Sequence, residues 1–132
     1  MQEKVDVNIS IYCFVENNGK ILLSRDVGKN GWKVAGGCLE KDESLYNAAL
    51  REVKEETGLE IISIDKYVGH FDYQSASGLL TRQLNFLVST APSEIKINPL
   101  EHSRYILSSL ADLNFQGLNI SDEVLETIKA VL

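Results

Sequence analysis

The stretch from Gly37 to Leu59, GCLEKDESLYNAALREVKEETGL, constrains this chain more than any other. Between Ser44 and Thr57, Leu45, Ala48, Ala49 and Val53 recur at three- and four-residue steps, the spacing of an amphipathic helix with one face to bury. Asp42 and Ser44 are both candidate N-caps, since either side-chain oxygen can accept from the free N–H groups of the first turn. Gly58 follows the last periodic residue and can take the left-handed conformation that closes a helix. On this helix Glu52, Glu55 and Glu56 stand at i, i+3 and i+4, so their carboxylates share one turn. Like charges at that spacing repel. Arg51 can reach Glu55 and Lys54 lies between the acids, which gives partial relief; a cation would give more. For such a helix taken alone, a solvated acidic stripe is the simpler explanation.

The surrounding pattern argues against it. A glycine, five residues, a glutamate and seven residues precede Arg-Glu-apolar-x-Glu-Glu-x-Gly-apolar, and the whole resembles the Nudix box at every defined position. With seven fixed identities at roughly 5% each and two apolar positions at about 30%, a chance match is on the order of one in 10^10 per starting position. The resemblance implies the Nudix fold, an α/β mixed β-sheet sandwiched between α-helices, as one domain over residues 1–132. It further implies that Glu52, Glu55 and Glu56 are metal ligands together with the carbonyl oxygen of Gly36, that Arg51 orients a box glutamate, and that Glu43 acts behind the ligands or as an outer ligand. Glu52 is the first choice of catalytic base, with Glu101, on a loop late in the chain, the second. Arg25 matches a position where relatives contact substrate phosphate. Relatives usually carry proline before the paired glycines; Ala35 stands there, which loosens the backbone and leaves the glycines in place.

Carboxylate and carbonyl oxygens suit a hard divalent ion, Mg²⁺ with Mn²⁺ as the alternative, and the absence of clustered His or Cys argues against zinc. The reaction implied is hydrolysis of a nucleoside diphosphate linked to another group X. Relatives acting on ADP-ribose tend to have a proline about fifteen residues after the box, where this chain has Gln74 and Ser75. Diadenosine-polyphosphate enzymes tend to have a tyrosine slightly later, where it has Ser75, Ala76 and Ser77, and the longer signature of NADH-cleaving relatives is absent. Elimination leaves a nucleoside-triphosphate pyrophosphohydrolase similar to the mutator-protein branch, acting on canonical or modified nucleotides. The alternatives are an ADP-ribose, nucleotide-sugar or dinucleotide pyrophosphatase and a non-catalytic nucleotide-binding module; decay of the box glutamates, the usual mark of the latter, is not seen. A docking face on an acidic helix is a third class, and it predicts no dependence on divalent ions.

A net charge of −6 argues against a protein whose main task is gripping a nucleic acid polymer, and leaves room for a small phosphorylated substrate if metal ions supply the missing positive charge. Cys13 and Cys38 are too few for a disulfide framework and lack zinc-site spacing. The start, MQEKVDVNIS, has no basic flank followed by an apolar run, and no segment approaches a membrane span, so the expected location is cytoplasmic. A monomer or a homodimer fits equally.

Along the chain, Val5 to Val15 reads as a central strand, with Ile9, Ile11 and Cys13 on one face and Tyr12 and Phe14 on the other. Asn17-Asn18-Gly19 turns it into a returning strand, Lys20 to Ser24. Asp26 to Gly31 reads as loop, and Trp32 to Gly37 as a lead into the box. Glu60 to Phe71 and Leu80 to Thr90 form a long hairpin with a bulge near Gly69, turned at Gln74 to Gly78. A connector, Ala91 to Pro99, leads to a short strand beginning at Glu101, a helical turn capped by Ser108 or Ser109, and a last helix capped by Ser121 or Asp122. Phe71, Tyr73, Tyr12 and Trp32 could stack on a base, though strand aromatics belong more often to a core. His70 and His102 read as packed or surface residues.

Overall fold

A computed structural model describes residues 3–116 and 118–132. In chain order the elements are β1 (Asn8–Asn17), β2 (Lys20–Asp26), β3 (Trp32–Lys33), β4 (Ala35–Cys38), α1 (Leu45–Thr57), β5 (Ile61–Gln74), β6 (Leu80–Thr90), β7 (His102–Ser108), α2 (Leu110–Gln116) and α3 (Asp122–Val131). The main strand order is β3-β2-β1-β6-β5, with β4 paired to β1 and β7 to β2.

β1 is the axis because both its faces are apolar. It runs parallel to β6 from Asn8↔Thr81 to Val15↔Val88. Ile11, Cys13 and Val15 pack with Ala48, Ala49 and Val53 of α1, while Phe14 packs on the opposite side with Ile21, Leu23, Trp32, Val124 and Ile128. The sheet therefore lies between α1 and α3, the mixed α/β sandwich expected. Burial lifts the Cys13 thiol to about 12, so it behaves as a small hydrophobe, and Cys38 is free and exposed.

The other edge of β1 is shared. Residues Ser10 to Cys13 pair with β4, and only Glu16 and Asn17 pair with β2. Neither β3 nor β4 was legible as a strand: each is too short to show alternation, and two of the four residues of β4 are glycine. β1 begins at Asn8 rather than Val5, whose side chain is 74% exposed.

Ser44, not Asp42, caps α1, its hydroxyl accepting from the Asn47 N–H at 3.1 Å. Gly58 closes it at φ 75°, and a Cβ there would also stand 3.1 Å from Lys96 Cβ, because the connector after β6 crosses the helix end and donates its Lys96 N–H to the Thr57 carbonyl. The β5–β6 hairpin shifts register between Tyr67 and His70, as the glycine at 69 suggested. Lys54 pairs with Glu60 at 2.7 Å, away from the box acids. Ser121 caps α3. Among the described residues no helix is long and apolar enough to cross a membrane.

Candidate functional site

Arg51 is the hub of α1. Its Nε and Nη2 donate to the two carboxylate oxygens of Glu43 at 2.7 and 2.8 Å, a two-pronged pair. Nη1 donates to Glu52 Oε1 at 2.9 Å and Glu55 Oε2 at 3.3 Å, and Glu40 Oε1 lies 3.7 Å from it. The bond to Arg51 is the main reason the Glu43 carboxyl is held down at about 2. Glu43 in turn is the main reason the guanidinium clings to its proton. One cation thus holds four acids in place and leaves the cluster negative.

Glycines bring this cluster against the sheet. Across the β1–β4 pairing, Tyr12 faces Gly36 and Ile11 faces Gly37. A Cβ on Gly36 would stand 2.3 Å from the Ile11 carbonyl oxygen, and one on Gly37 would stand 2.5 Å from Glu52 Oε1, so both positions must be bare. The Gly36 N–H donates to Glu56 Oε2 at 2.7 Å. Burial lifts the Glu56 carboxyl to about 8; Lys33 and the Gly36 N–H pull it down without cancelling that.

Glu52 and Glu56 turn inward, with side chains 13% and 8% exposed, whereas Glu55 is 57% exposed. Among the described residues no three acidic, histidine or cysteine side chains are gathered tightly enough to hold an ion as they stand. The donor set still fits a hard divalent cation: it is all oxygen, Glu55 has room to swing, and a neighbouring cation would keep buried Glu56 ionised.

Three residues around Glu56 escaped the sequence reading. Lys33 Nζ lies 3.8 Å from Glu56 Oε1 and 3.2 Å from Asp26 Oδ1. His102, only 3% exposed, has Nδ1 3.2 Å from Asp26 Oδ1 and Nε2 3.6 Å from Glu56 Oε1, and neither ring nitrogen has a hydrogen-bond partner. Their only signal was position, Lys33 just before the paired glycines and His102 just after Glu101. Glu101 itself is exposed, its Oε2 3.9 Å from His102 Nε2, the same nitrogen that lies 3.6 Å from Glu56 Oε1. His70 is exposed and bonds to the Tyr67 hydroxyl at 2.7 Å.

Asp26 and Lys33 also line a cavity of about 450 Å³, walled further by Tyr12, Trp32, Gln83 and Asn119. It therefore opens beside the box acids. Burial, with Tyr73 and Glu56 adding to it, holds the Tyr12 phenol far above its usual range. Arg25 lies over Trp32, 5.4 Å from the ring centroid. Phe71 and Tyr73 pair across β5–β6 with Gln83 and Thr81, their rings 6.1 Å apart, but neither belongs to the described lining of the cavity. The structure thus gathers Arg51, Glu52, Glu55, Glu56 and Gly36 in one place, sets Glu101 beside His102 and Arg25 over Trp32, and leaves Phe71 and Tyr73 on the outer strand.

A family model described as the NUDIX domain matches residues 6–126. The CTP pyrophosphohydrolase of Escherichia coli (strain K12) is 37% identical over 62 residues, covering 44% of this chain and 45% of that protein. Phosphatase NudJ of Escherichia coli (strain K12) is 41% identical over 54 residues, 39% of this chain and 35% of that protein. The matches thus span less than half the length of these curated relatives. Among solved structures, a MutT NUDIX hydrolase from Burkholderia pseudomallei superposes with a TM-score of 0.82 at 19% identity, covering 96% of this chain and 99% of that one. At that identity the likeness speaks for the fold.

Proposed function

The chain belongs to the Nudix family, and from that premise we propose that it hydrolyses a nucleoside diphosphate linked to X, with a canonical or modified nucleoside triphosphate as substrate and the nucleoside monophosphate and pyrophosphate as products. The observation that carries the reading is the arrangement of Glu52 and Glu56 around the bare Gly36-Gly37 backbone, with Arg51 tying Glu52 and Glu55 together. Glu52, Glu55 and Glu56 with the Gly36 carbonyl would hold Mg²⁺ or Mn²⁺. Such a cation supplies neutralisation of the phosphate charge and polarisation of the phosphorus toward attack.

The chain's own residues do the rest. Glu52 has Oε1 engaged by Arg51, which leaves Oε2 to accept the proton of the attacking water as the P–O–P bond breaks and pyrophosphate leaves. Glu101, beside His102, is the second choice of base. Glu43 keeps Arg51 in place from behind. The base takes the cavity, whose volume suits a nucleoside and whose wall combines Tyr12 and Trp32 with the amides of Gln83 and Asn119. Arg25 serves the phosphates, and Phe71 and Tyr73 contribute to substrate binding only from the outer strand.

The test is a panel of canonical and oxidised nucleoside triphosphates, ADP-ribose, dinucleotides and CoA, incubated with Mg²⁺ or Mn²⁺ while phosphate and pyrophosphate release is followed. Pyrophosphate from a triphosphate is expected; turnover of ADP-ribose well above that of every triphosphate would overturn the substrate assignment.

A further inference from the structure

On one face of the sheet, three side chains stand in a row across three strands. Arg25 faces Arg104 in the β2–β7 pairing and Trp32 in the β2–β3 pairing. Arg25 Cζ lies 5.4 Å and Arg104 Cζ 6.0 Å from the centroid of the Trp32 ring. Two guanidiniums set opposite each other on neighbouring strands repel, and an indole face offsets only part of that. A chain with a net charge of −6 has acids to spare for pairing them. Among the described residues neither arginine forms an ion pair, in contrast with Arg51 and Arg82.

Arg25 is moreover pinned. Its Nε donates to Ser103 Oγ at 3.3 Å, and that hydroxyl donates to the Arg25 carbonyl oxygen at 3.2 Å. Its terminal NH₂ groups find no acceptor among the described residues. Lys29, on the wall of the cavity that Trp32 also lines, is likewise outside any ion pair there. Unpaired, adjacent guanidiniums, one of them already fixed, suit a phosphate, because two planar donors can share its oxygens.

We propose that Arg104 joins Arg25 in a clamp for a phosphate group over Trp32, and that the clamp takes a phosphate of the substrate's own chain. The second clause rests on the substrate reading above; the first does not. The clamp favours a nucleoside triphosphate over the corresponding nucleotide sugar, whose X carries no phosphate charge of its own.

The experiment has two arms. In the first, inorganic tripolyphosphate is titrated calorimetrically into the protein with EDTA present, for the wild type, Arg104→Ala, Arg104→Lys and the distant, exposed Lys20→Ala as a charge control, each with its melting temperature recorded. Arg104→Ala should weaken binding about tenfold, and Arg104→Lys should recover part of it, having the charge without the fork. Affinity unchanged by Arg104→Ala, or lowered no more than by Lys20→Ala, overturns the clamp. In the second arm, Arg104→Ala should raise KM for the triphosphate more than for the nucleotide sugar, with kcat within about twofold. Weaker tripolyphosphate binding with both KM values unchanged would overturn the assignment to the substrate. Weaker tripolyphosphate binding in a protein that hydrolyses no nucleotide would support the clamp and overturn the substrate reading.

Discussion

The two poles of the site carry opposite charge problems. At the α1 pole a single guanidinium, Arg51, is ringed by Glu40, Glu43, Glu52 and Glu55, and a fourth box acid, Glu56, is buried against Gly36. At the cavity pole Arg25 and Arg104 lie over Trp32 and Lys29 lines the cavity wall, none of the three with an ion pair among the described residues. Asp26 and Lys33 lie between the two, contacting the cluster around Glu56 and lining the cavity. One pole lacks a cation and the other lacks an anion. The proposed ligand, a polyphosphate carrying a divalent ion, would supply both.

The comparison is most easily broken at the α1 pole. Glu56→Gln should lower kcat by two to three orders of magnitude, about the scale of losing one electrostatic anchor, while the protein without divalent ions melts no lower, since a buried amide carries no charge to desolvate. Steady-state rates with Mg²⁺ and a thermal melt in EDTA check the two halves; a wild-type rate would remove the α1 pole from the chemistry.

Backbone tightness should differ in the same sense. Gly36→Ala should cost about 3 kcal/mol or more, because its Cβ would meet the Ile11 carbonyl at 2.3 Å, whereas Gly31→Ala at the cavity rim, whose nearest neighbour is the Asn119 oxygen at 4.0 Å, should stay within about 0.5 kcal/mol. Urea unfolding of both variants measures the contrast.

Charge provides a third contrast. Glu56, lifted from 4.5 to about 8, binds more protons folded than unfolded, so its contribution is full below pH 4.5 and lost as pH rises through 8. Glu43, lowered from 4.5 to about 2, acts oppositely: its contribution is present above pH 4.5 and lost as pH falls through 2. Melting temperature in EDTA should therefore fall between pH 5 and pH 8, and Mg²⁺ should flatten that slope. The smallest effect belongs to the outer strand: Phe71→Ala should raise KM only about two- to fivefold, because the ring does not line the cavity.

The same contrast separates what the sequence makes legible from what only the fold brings together. The α1 pole lies within Gly37 to Leu59, so helical periodicity and a contiguous box place Arg51, Glu52, Glu55 and Glu56 together, and the central β1 announces itself by apolar residues on both faces. The cavity pole draws on β1, β2, β3, β6 and the segment before α3, and no local pattern links Tyr12, Trp32, Gln83 and Asn119. Arg104 and His102 read as ordinary residues of a short strand, because only the β2–β7 register sets one beside Arg25 and the other beside Asp26. β4 went unseen for a related reason: its strand character comes from pairing with β1, not from side chains of its own.

The central claim, that the box acids and the Gly36 carbonyl seat a divalent cation, is tested most directly by titrating Mn²⁺ calorimetrically at pH 7 in two buffers of different ionisation enthalpy. Wild type should bind the ion and release a proton from Glu56, and Glu56→Gln should bind it at least about tenfold more weakly with no such release. Equal affinity and equal proton release in the two proteins would contradict the claim.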